Sequence, residues 1–111
     1  MKPTVEDLKA EYQKLVGRLA KTGWISHGYA QNRGPGAGGP CYQWSRKVRG
    51  KTVSVALSKE QYEWMAQSIA NWRNVQDILK RMEQISRTIM LITLPDTHRR
   101  KPLSKKVMGL N

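Results

Sequence analysis

The side chains best suited to chemistry lie in a stretch that the sequence predicts to be a β-hairpin. Residues 42–48 and 52–57 are rich in aromatic and β-branched residues, and Arg49 and Gly50 between them fit a two-residue turn. A two-stranded ribbon fits the major groove of B-DNA, where polar and basic side chains contact base edges and phosphates. Such side chains would line one face and the tip: Gln43, Ser45, Lys47, Thr52 and Ser54 on the face, Arg49 and Lys51 at the tip. The pattern predicts a nucleic-acid-binding face, although an ordinary solvated sheet face also carries Ser and Thr.

The charge of the chain points to the same class of partner. Its 111 residues include 20 Lys and Arg against 8 Asp and Glu, a formal net charge of +12. Residues 41–57 carry four basic residues and no acid, and residues 95–111 carry five basic residues and one acid. Such concentration favours a polyanionic partner. We expect phosphate contacts from lysines of the first helix and from three consecutive cations in the C-terminal segment: Arg99, Arg100 and Lys101.

The sequence contains no group of residues that predicts catalysis. His27 and His98 are 71 positions apart, and neither has a visible nucleophile or carboxylate partner. Cys41 is expected to be a small buried residue at the start of a strand. The glycine-rich run 34–40 lacks the Gly-Lys-Ser/Thr ending of a phosphate-binding loop, because Gly39 is followed by Pro. We therefore expect a non-enzymatic protein without a metal or cofactor.

Length and hydropathy limit the fold class and the compartment. A chain of this length, with 39% hydrophobic residues and no Phe, builds one modest core, which excludes a large enzyme fold. A single cysteine excludes an internal disulfide. The longest uncharged apolar run, 88–94, is far shorter than the roughly 20 residues that span a bilayer, and the first residues lack the apolar core of a signal peptide. We expect a soluble, cytoplasmic protein that does not bind a membrane.

The register of the hairpin follows from its apolar residues. A turn at Arg49 and Gly50 gives these pairs: Val48 with Lys51, Arg46 with Val53, Trp44 with Val55, and Tyr42 with Leu57. The apolar side chains then share one face, which is the predicted core face: Tyr42, Trp44, Val53, Val55 and Leu57. A shift by one residue would place the aromatic rings opposite Ser54 and Ala56.

Helices are predicted on both sides of this hairpin, so the fold class is α+β. Thr4 and Asp7 predict a capping box for the first helix, and Ser58 and Gln61 predict one for the second. Residues 24–33 could add a third, edge strand to the sheet, although Gly28 would weaken it. The predicted segments are an N-terminal helix at 1–23, a small antiparallel sheet with its glycine-rich loop at 24–57, a long helix at 58–94 and a disordered basic tail at 95–111.

The long helix has an apolar stripe that is longer than a compact domain of this size requires. Apolar residues recur at spacings of three and four from Tyr62 to Ile92, with no Gly or Pro before Pro95. The first half can cover the hairpin, whereas the second half requires another partner. That partner could be the first helix, packed antiparallel, a second copy in a coiled-coil homodimer, or a larger protein. Alternatively, the helix could break near Asn71 or Asn74 and fold back.

The four tryptophans could stack on the bases of a single-stranded nucleic acid if their rings are exposed. Trp44 and Trp72 fall on predicted core faces. Trp24 and Trp64 are therefore the two candidates for exposed rings.

The hairpin region is similar to a known group of sequences. The run GPCYQWSRKVRGKTVSVALSKEQYEWM (residues 39–65), followed by a long helix, resembles an uncharacterised family of small bacterial proteins. The family joins a Gly-Pro-aromatic segment, a basic hairpin and a helix, and the resemblance extends to about residue 89. It implies association with transposase genes but no known activity. Many members carry further cysteines before the hairpin; this chain has only Cys41, so no metal site is implied. A looser analogy exists at the level of the fold. If residues 24–33 form a third strand, the order of strand, hairpin and helix is similar to that of the three-stranded-sheet-plus-helix DNA-binding modules of phage integrases and plant-type transcription factors.

These features together predict a non-enzymatic nucleic-acid-binding protein. DNA is the favoured ligand, bound through the basic hairpin, and the protein would be an accessory or regulatory factor of a mobile element. One alternative is an RNA-binding subunit of a ribonucleoprotein. Another is an inhibitor or adaptor that binds a larger protein through the long helix.

Overall fold

The computed structural model describes residues 2–35, 39, 41–95 and 97. Five elements follow one another: helix α1 (Val5–Ala20), strands β1 (Tyr29–Asn32), β2 (Tyr42–Val48) and β3 (Lys51–Leu57), and helix α2 (Lys59–Thr93). The predicted α+β class, with a three-stranded sheet and a long second helix, is confirmed. The described residues form two compact units, one of those within 2–21 and 76–97 and one of those within 22–75. None of the described helices is both long and apolar enough to span a bilayer.

Both predicted capping boxes are present. The Asp7 backbone N–H donates to Thr4 Oγ1 at 3.1 Å, and the Thr4 backbone N–H donates to Asp7 Oδ2 at 3.0 Å. The second of these bonds stabilises the carboxylate and lowers the pKa of Asp7. At the start of α2, Ser58 and Gln61 exchange the equivalent pair of bonds at 2.9 and 3.1 Å. These four bonds satisfy N–H groups that a helix terminus would otherwise leave without partners.

The first unit is built on α1 and the second half of α2. Its core consists of four buried residues with four partly buried ones packed around them: Leu8, Leu15, Ile78 and Ile85, with Tyr12, Leu19, Met82 and Ile89. Ile85 is fully buried and Ile78 is 2% exposed. The second half of the α2 stripe is therefore covered within the chain, by the first helix. Ile92, at the end of the predicted stripe, is 56% exposed.

An ion pair joins the same two helices beside that core. Arg81 donates from Nε to Glu11 Oε2 at 2.6 Å and from a terminal nitrogen to Glu11 Oε1 at 2.8 Å. This two-point contact lowers the pKa of Glu11 and raises that of Arg81, because the hydrogen bonds stabilise both charged forms. Both side chains remain about two-fifths exposed.

Helix α2 continues through the positions where a break was considered. The Asn71 side-chain N–H donates to the Trp24 carbonyl at 2.8 Å, and its Oδ1 accepts from the Gln67 side chain at 2.9 Å, so this amide does not compete with the helix backbone. The Ser26 N–H donates to the carbonyl of buried Ser68 at 3.2 Å. The segment before β1 is thus held against α2 within the second unit.

The sheet of the second unit has the order β1-β2-β3, with both pairs antiparallel. The hairpin register is the predicted one, from Tyr42 opposite Leu57 to Val48 opposite Lys51. The third strand begins only at Tyr29, directly after Gly28, and is shorter than the segment considered for it. Gly28 has φ +112°, which a residue with a side chain rarely adopts, and a Cβ there would lie 2.7 Å from the Ser45 carbonyl oxygen and collide with the Trp44 indole.

Two predictions about burial are wrong. Val53 and Val55, assigned to the core, are 41% and 44% exposed. The reason is that β3 is an edge strand, while the ring contact that α2 makes with the hairpin, Tyr42 to Tyr62 at 5.0 Å, involves β2. Cys41, expected to be buried, is exposed: it lies just before β2, and its carbonyl accepts a hydrogen bond from the Arg33 N–H at 2.7 Å.

Candidate nucleic-acid interface

The two faces of the sheet differ in chemistry, and the strand register defines them. Residues opposite each other in a ladder point to the same side. The polar face carries Tyr29 and Gln31 of β1, Gln43, Ser45 and Lys47 of β2, and Thr52, Ser54 and Ala56 of β3. The apolar face carries Ala30 and Asn32 of β1, Tyr42, Trp44, Arg46 and Val48 of β2, and Lys51, Val53, Val55 and Leu57 of β3.

The turn at the tip has the backbone that a two-residue hairpin requires. Arg49 has φ 51° and Gly50 has φ 81°, the positive values of a type I′ turn. Glycine adopts this conformation without strain, whereas arginine does so at some cost. The Arg49 side chain is exposed at this tip, next to Lys51.

Five of the seven predicted hairpin residues lie together on the polar face. The Ser45 and Ser54 hydroxyls form a hydrogen bond of 2.9 Å across the two strands. Lys47, Thr52 and Ser54 are exposed, and Gln43 and Ser45 are partly covered. The structure therefore brings together Gln43, Ser45, Lys47, Thr52 and Ser54, as the hairpin register predicts.

The remaining predicted contact residues are placed differently. Lys51 lies opposite Val48 and so belongs to the apolar face, near the turn. Arg99, Arg100 and Lys101 lie outside the described residues, as does His98.

Sequence reasoning missed the contribution of β1 to the polar face. Tyr29 pairs with Ser45 and Gln31 pairs with Gln43, so both residues extend this face beyond the hairpin. Tyr29 is 60% exposed. A shallow concavity of about 290 Å³ lies beside its ring and is lined by Gly28, Tyr29, Ser45, Arg46, Lys47 and Thr52. Side chains alternate between the two faces along residues 29–32, and this alternation was the only signal in the sequence. It does not assign Tyr29 and Gln31 to the polar face, because the register of so short a strand is unknown from the sequence.

The apolar face is held by contacts to the segment before β1. The Trp44 indole N–H donates to the His27 carbonyl at 2.9 Å, and the His27 ring lies 4.4 Å from the Trp72 ring. Arg46 lies over the Trp44 ring, 5.4 Å from its centroid. Arg46 and Lys47 are therefore adjacent in sequence, but the register places their side chains on opposite faces of the sheet.

The acidic residues of the second unit lie apart from its sheet. Its hairpin carries Arg46, Lys47, Arg49 and Lys51, whereas its two acidic residues, Glu60 and Glu63, lie on α2 after the sheet ends. The sheet itself contains no acid, so an approaching polyanion meets no like charge on the polar face.

In the part of the chain that the structure describes, no three His, Cys, Asp or Glu side chains group closely enough to hold a metal ion.

Comparison of the chain with protein-family models, with curated proteins and with solved structures found no match.

Proposed function

We propose that this protein is a non-enzymatic nucleic-acid-binding protein whose polar face binds double-stranded DNA. The observation that carries the proposal is the composition of that face: amide, hydroxyl, phenol and ammonium groups, exposed on three adjacent strands and free of acids. These are the groups that bind phosphate oxygens and base edges.

Dimensions favour duplex DNA over duplex RNA. Neighbouring strands lie about 4.8 Å apart, so the outer strands of this sheet are separated by about 10 Å. The major groove of B-DNA is about 12 Å wide, whereas the major groove of A-form RNA is too narrow and deep for side chains to enter. In the proposed complex, the Arg49 tip and Lys47 neutralise phosphates, while Gln43 and Thr52 face base edges.

Binding to a panel of nucleic acids tests the proposed ligand class. A fluorescent duplex DNA, its single strand and an RNA hairpin of matched length would be titrated with the full chain at low and at moderate salt. Duplex DNA is expected to bind most tightly, and all affinities should fall with salt because displaced counterions drive binding. Tighter binding of the RNA hairpin would replace DNA by RNA as the ligand. Absence of binding to all three at low salt would refute the proposal.

A second candidate function, binding of a larger protein through α2, is favoured by a different surface. Trp24 and Trp64 are 72% and 60% exposed, and their rings stack with centroids 6.1 Å apart. Ile25, next to Trp24 in sequence, is 50% exposed. Exposed aromatic clusters are typical of protein-binding surfaces. If Trp64→Ala abolishes binding of a protein ligand but leaves DNA binding intact, this adaptor function is supported.

A further inference from the structure

Strand β3 presents an open edge. It pairs with β2 on one side, and no other described strand lies along its second side. Six of its seven residues are exposed, among them Val53 and Val55, whose side chains lie on the face that usually forms a core. An open strand of this length is a template for pairing with another strand.

The register determines which backbone groups point to the open edge. In a hairpin with a two-residue turn, the residues that flank the turn form a hydrogen-bonded pair, here Val48 with Lys51. Hydrogen-bonded and non-hydrogen-bonded pairs alternate from that point. The N–H and C=O groups of Thr52, Ser54 and Ala56 therefore point away from β2.

We propose that this edge binds the same edge of a second copy of the chain, so that two β3 strands pair antiparallel about a twofold axis at Ser54. Ser54 then pairs with the partner's Ser54, and Thr52 pairs with the partner's Ala56. All three outward-pointing residues of each strand find partners in this register, which gives about six main-chain hydrogen bonds. An isologous contact of this kind closes on itself and does not propagate.

The side chains on the apolar face are self-complementary in the same register. Val53 lies opposite the partner's Val55, so four exposed valines of the two copies cover one another. Lys51 lies opposite the partner's Leu57, and no lysine faces a lysine. Cross-strand pairs of β-branched residues stabilise a sheet, whereas like charges directly opposite each other destabilise it.

Charge complementarity favours a second copy as the occupant. Leu57 and Glu60 line one cavity of about 410 Å³ at the end of β3. A lysine opposite Leu57 therefore lies within reach of Glu60, so that Lys51 meets the partner's Glu60. The twofold axis repeats this pair. The formation of this dimer does not depend on nucleic acid, so its test is independent of the proposed function.

Sedimentation of the protein alone tests the dimer with a backbone variant. Ala56→Pro removes an outward N–H that β2 does not use, and proline is tolerated on the open side of an edge strand. Ala56→Thr, the matched control, changes the side chain but keeps the N–H. The parent is expected to dimerise reversibly. Ala56→Pro should raise the dimer dissociation constant at least about tenfold, because two symmetric contacts are lost. Ala56→Thr should change it by less than about threefold.

A charge exchange tests the same interface if the proline variant fails to fold. Lys51→Glu and Glu60→Lys should each weaken the dimer, because each places like charges opposite one another, and the double variant should recover most of the parent's dimerisation. A parent that is monomeric up to about 1 mM overturns the proposal. It is also overturned if folded Ala56→Pro dimerises like the parent or if the double charge variant shows no recovery.

Discussion

Tyr29 of β1 lies directly opposite Ser45 of β2, and this pairing turns a two-stranded ribbon into a three-stranded polar surface. The Tyr29 ring is 60% exposed beside the concavity lined by Lys47 and Thr52. Ser45 in turn bonds Ser54 of β3 at 2.9 Å. One row across the sheet thus joins all three strands, and each strand contributes a side chain to the proposed interface.

Gly28 is predicted to be essential for the stability of the second unit. Gly28→Ala combines an unfavourable positive φ with a collision against the Trp44 indole and the Ser45 carbonyl. We expect a loss in the free energy of unfolding of more than about 2 kcal/mol. Gly34→Ala is the matched control, because Gly34 also has a positive φ (+77°) but has no atom within 4 Å of the added Cβ. Chemical denaturation of both variants measures the collision separately from the backbone strain, and equal losses would show that the close approach at Trp44 is unimportant.

Arg49→Asn should separate the stability of the hairpin from its binding. Asparagine tolerates positive φ better than arginine does and is favoured at the first position of a type I′ turn followed by glycine. The variant should unfold at a slightly higher temperature, with a gain below about 1 kcal/mol. It should bind duplex DNA more weakly, since one phosphate contact is lost. If the melting temperature and the affinity for duplex DNA both rise or both fall, Arg49 does not have the proposed role of contacting a phosphate.

Trp44→Ala should destabilise the second unit by less than full burial of the ring would imply. Replacing a fully buried tryptophan by alanine costs about 3 to 5 kcal/mol. In the structure Trp44 is only partly buried, under Arg46, with its indole N–H bonded to the His27 carbonyl. We expect about 2 to 3 kcal/mol in chemical denaturation, with duplex DNA binding retained in the folded fraction. A folded variant that no longer binds DNA would move the interface to the apolar face.

Acid should weaken the first unit through the Glu11–Arg81 pair. The pKa of Glu11 is lower in the folded state than in the unfolded state. The contribution of the pair is therefore fully present above the unfolded pKa of about 4.3 and is lost as the pH falls through the lower folded value. Because both groups are partly exposed, we expect less than about 1 kcal/mol. Glu11→Gln should remove this part of the acid dependence when the free energy of unfolding is measured from pH 7 to pH 3. Glu6→Gln is the control and should not remove it, because the 3.9 Å contact of Glu6 with Lys9 is exposed.

Local chemistry made several features predictable from the sequence. The two capping boxes need only side chains three residues apart, and both are present. The register of β2 and β3 followed from the two-residue turn at Arg49 and from the alternation of apolar residues on either side of it. A shift of the register by one residue would no longer place the apolar side chains of the two strands on one face.

Features that depend on contacts distant in sequence were less predictable. The sequence did not determine which partner covers Ile85, because an apolar stripe on a helix can pack against any matching apolar surface. The exposure of Val53 and Val55 depends on β3 being an edge strand, and alternation alone does not distinguish an edge strand from a central one. The place of Tyr29 on the polar face depends on its pairing with Ser45, which no local pattern specifies.

The most direct test of the polar face as the interface compares two neighbouring cations. Lys47→Gln and Arg46→Gln remove one positive charge each, from opposite faces of the same strand, and so change long-range attraction to DNA almost equally. The affinity of each variant and the parent for duplex DNA would be measured over a series of salt concentrations. If 5 to 8 phosphates are contacted, the parent's slope of log K against log salt is about −5 to −7. Lys47→Gln should weaken binding and reduce the magnitude of that slope by about one, and Arg46→Gln should leave the slope unchanged. A reduced slope for Arg46→Gln with an unchanged slope for Lys47→Gln would contradict binding through the polar face.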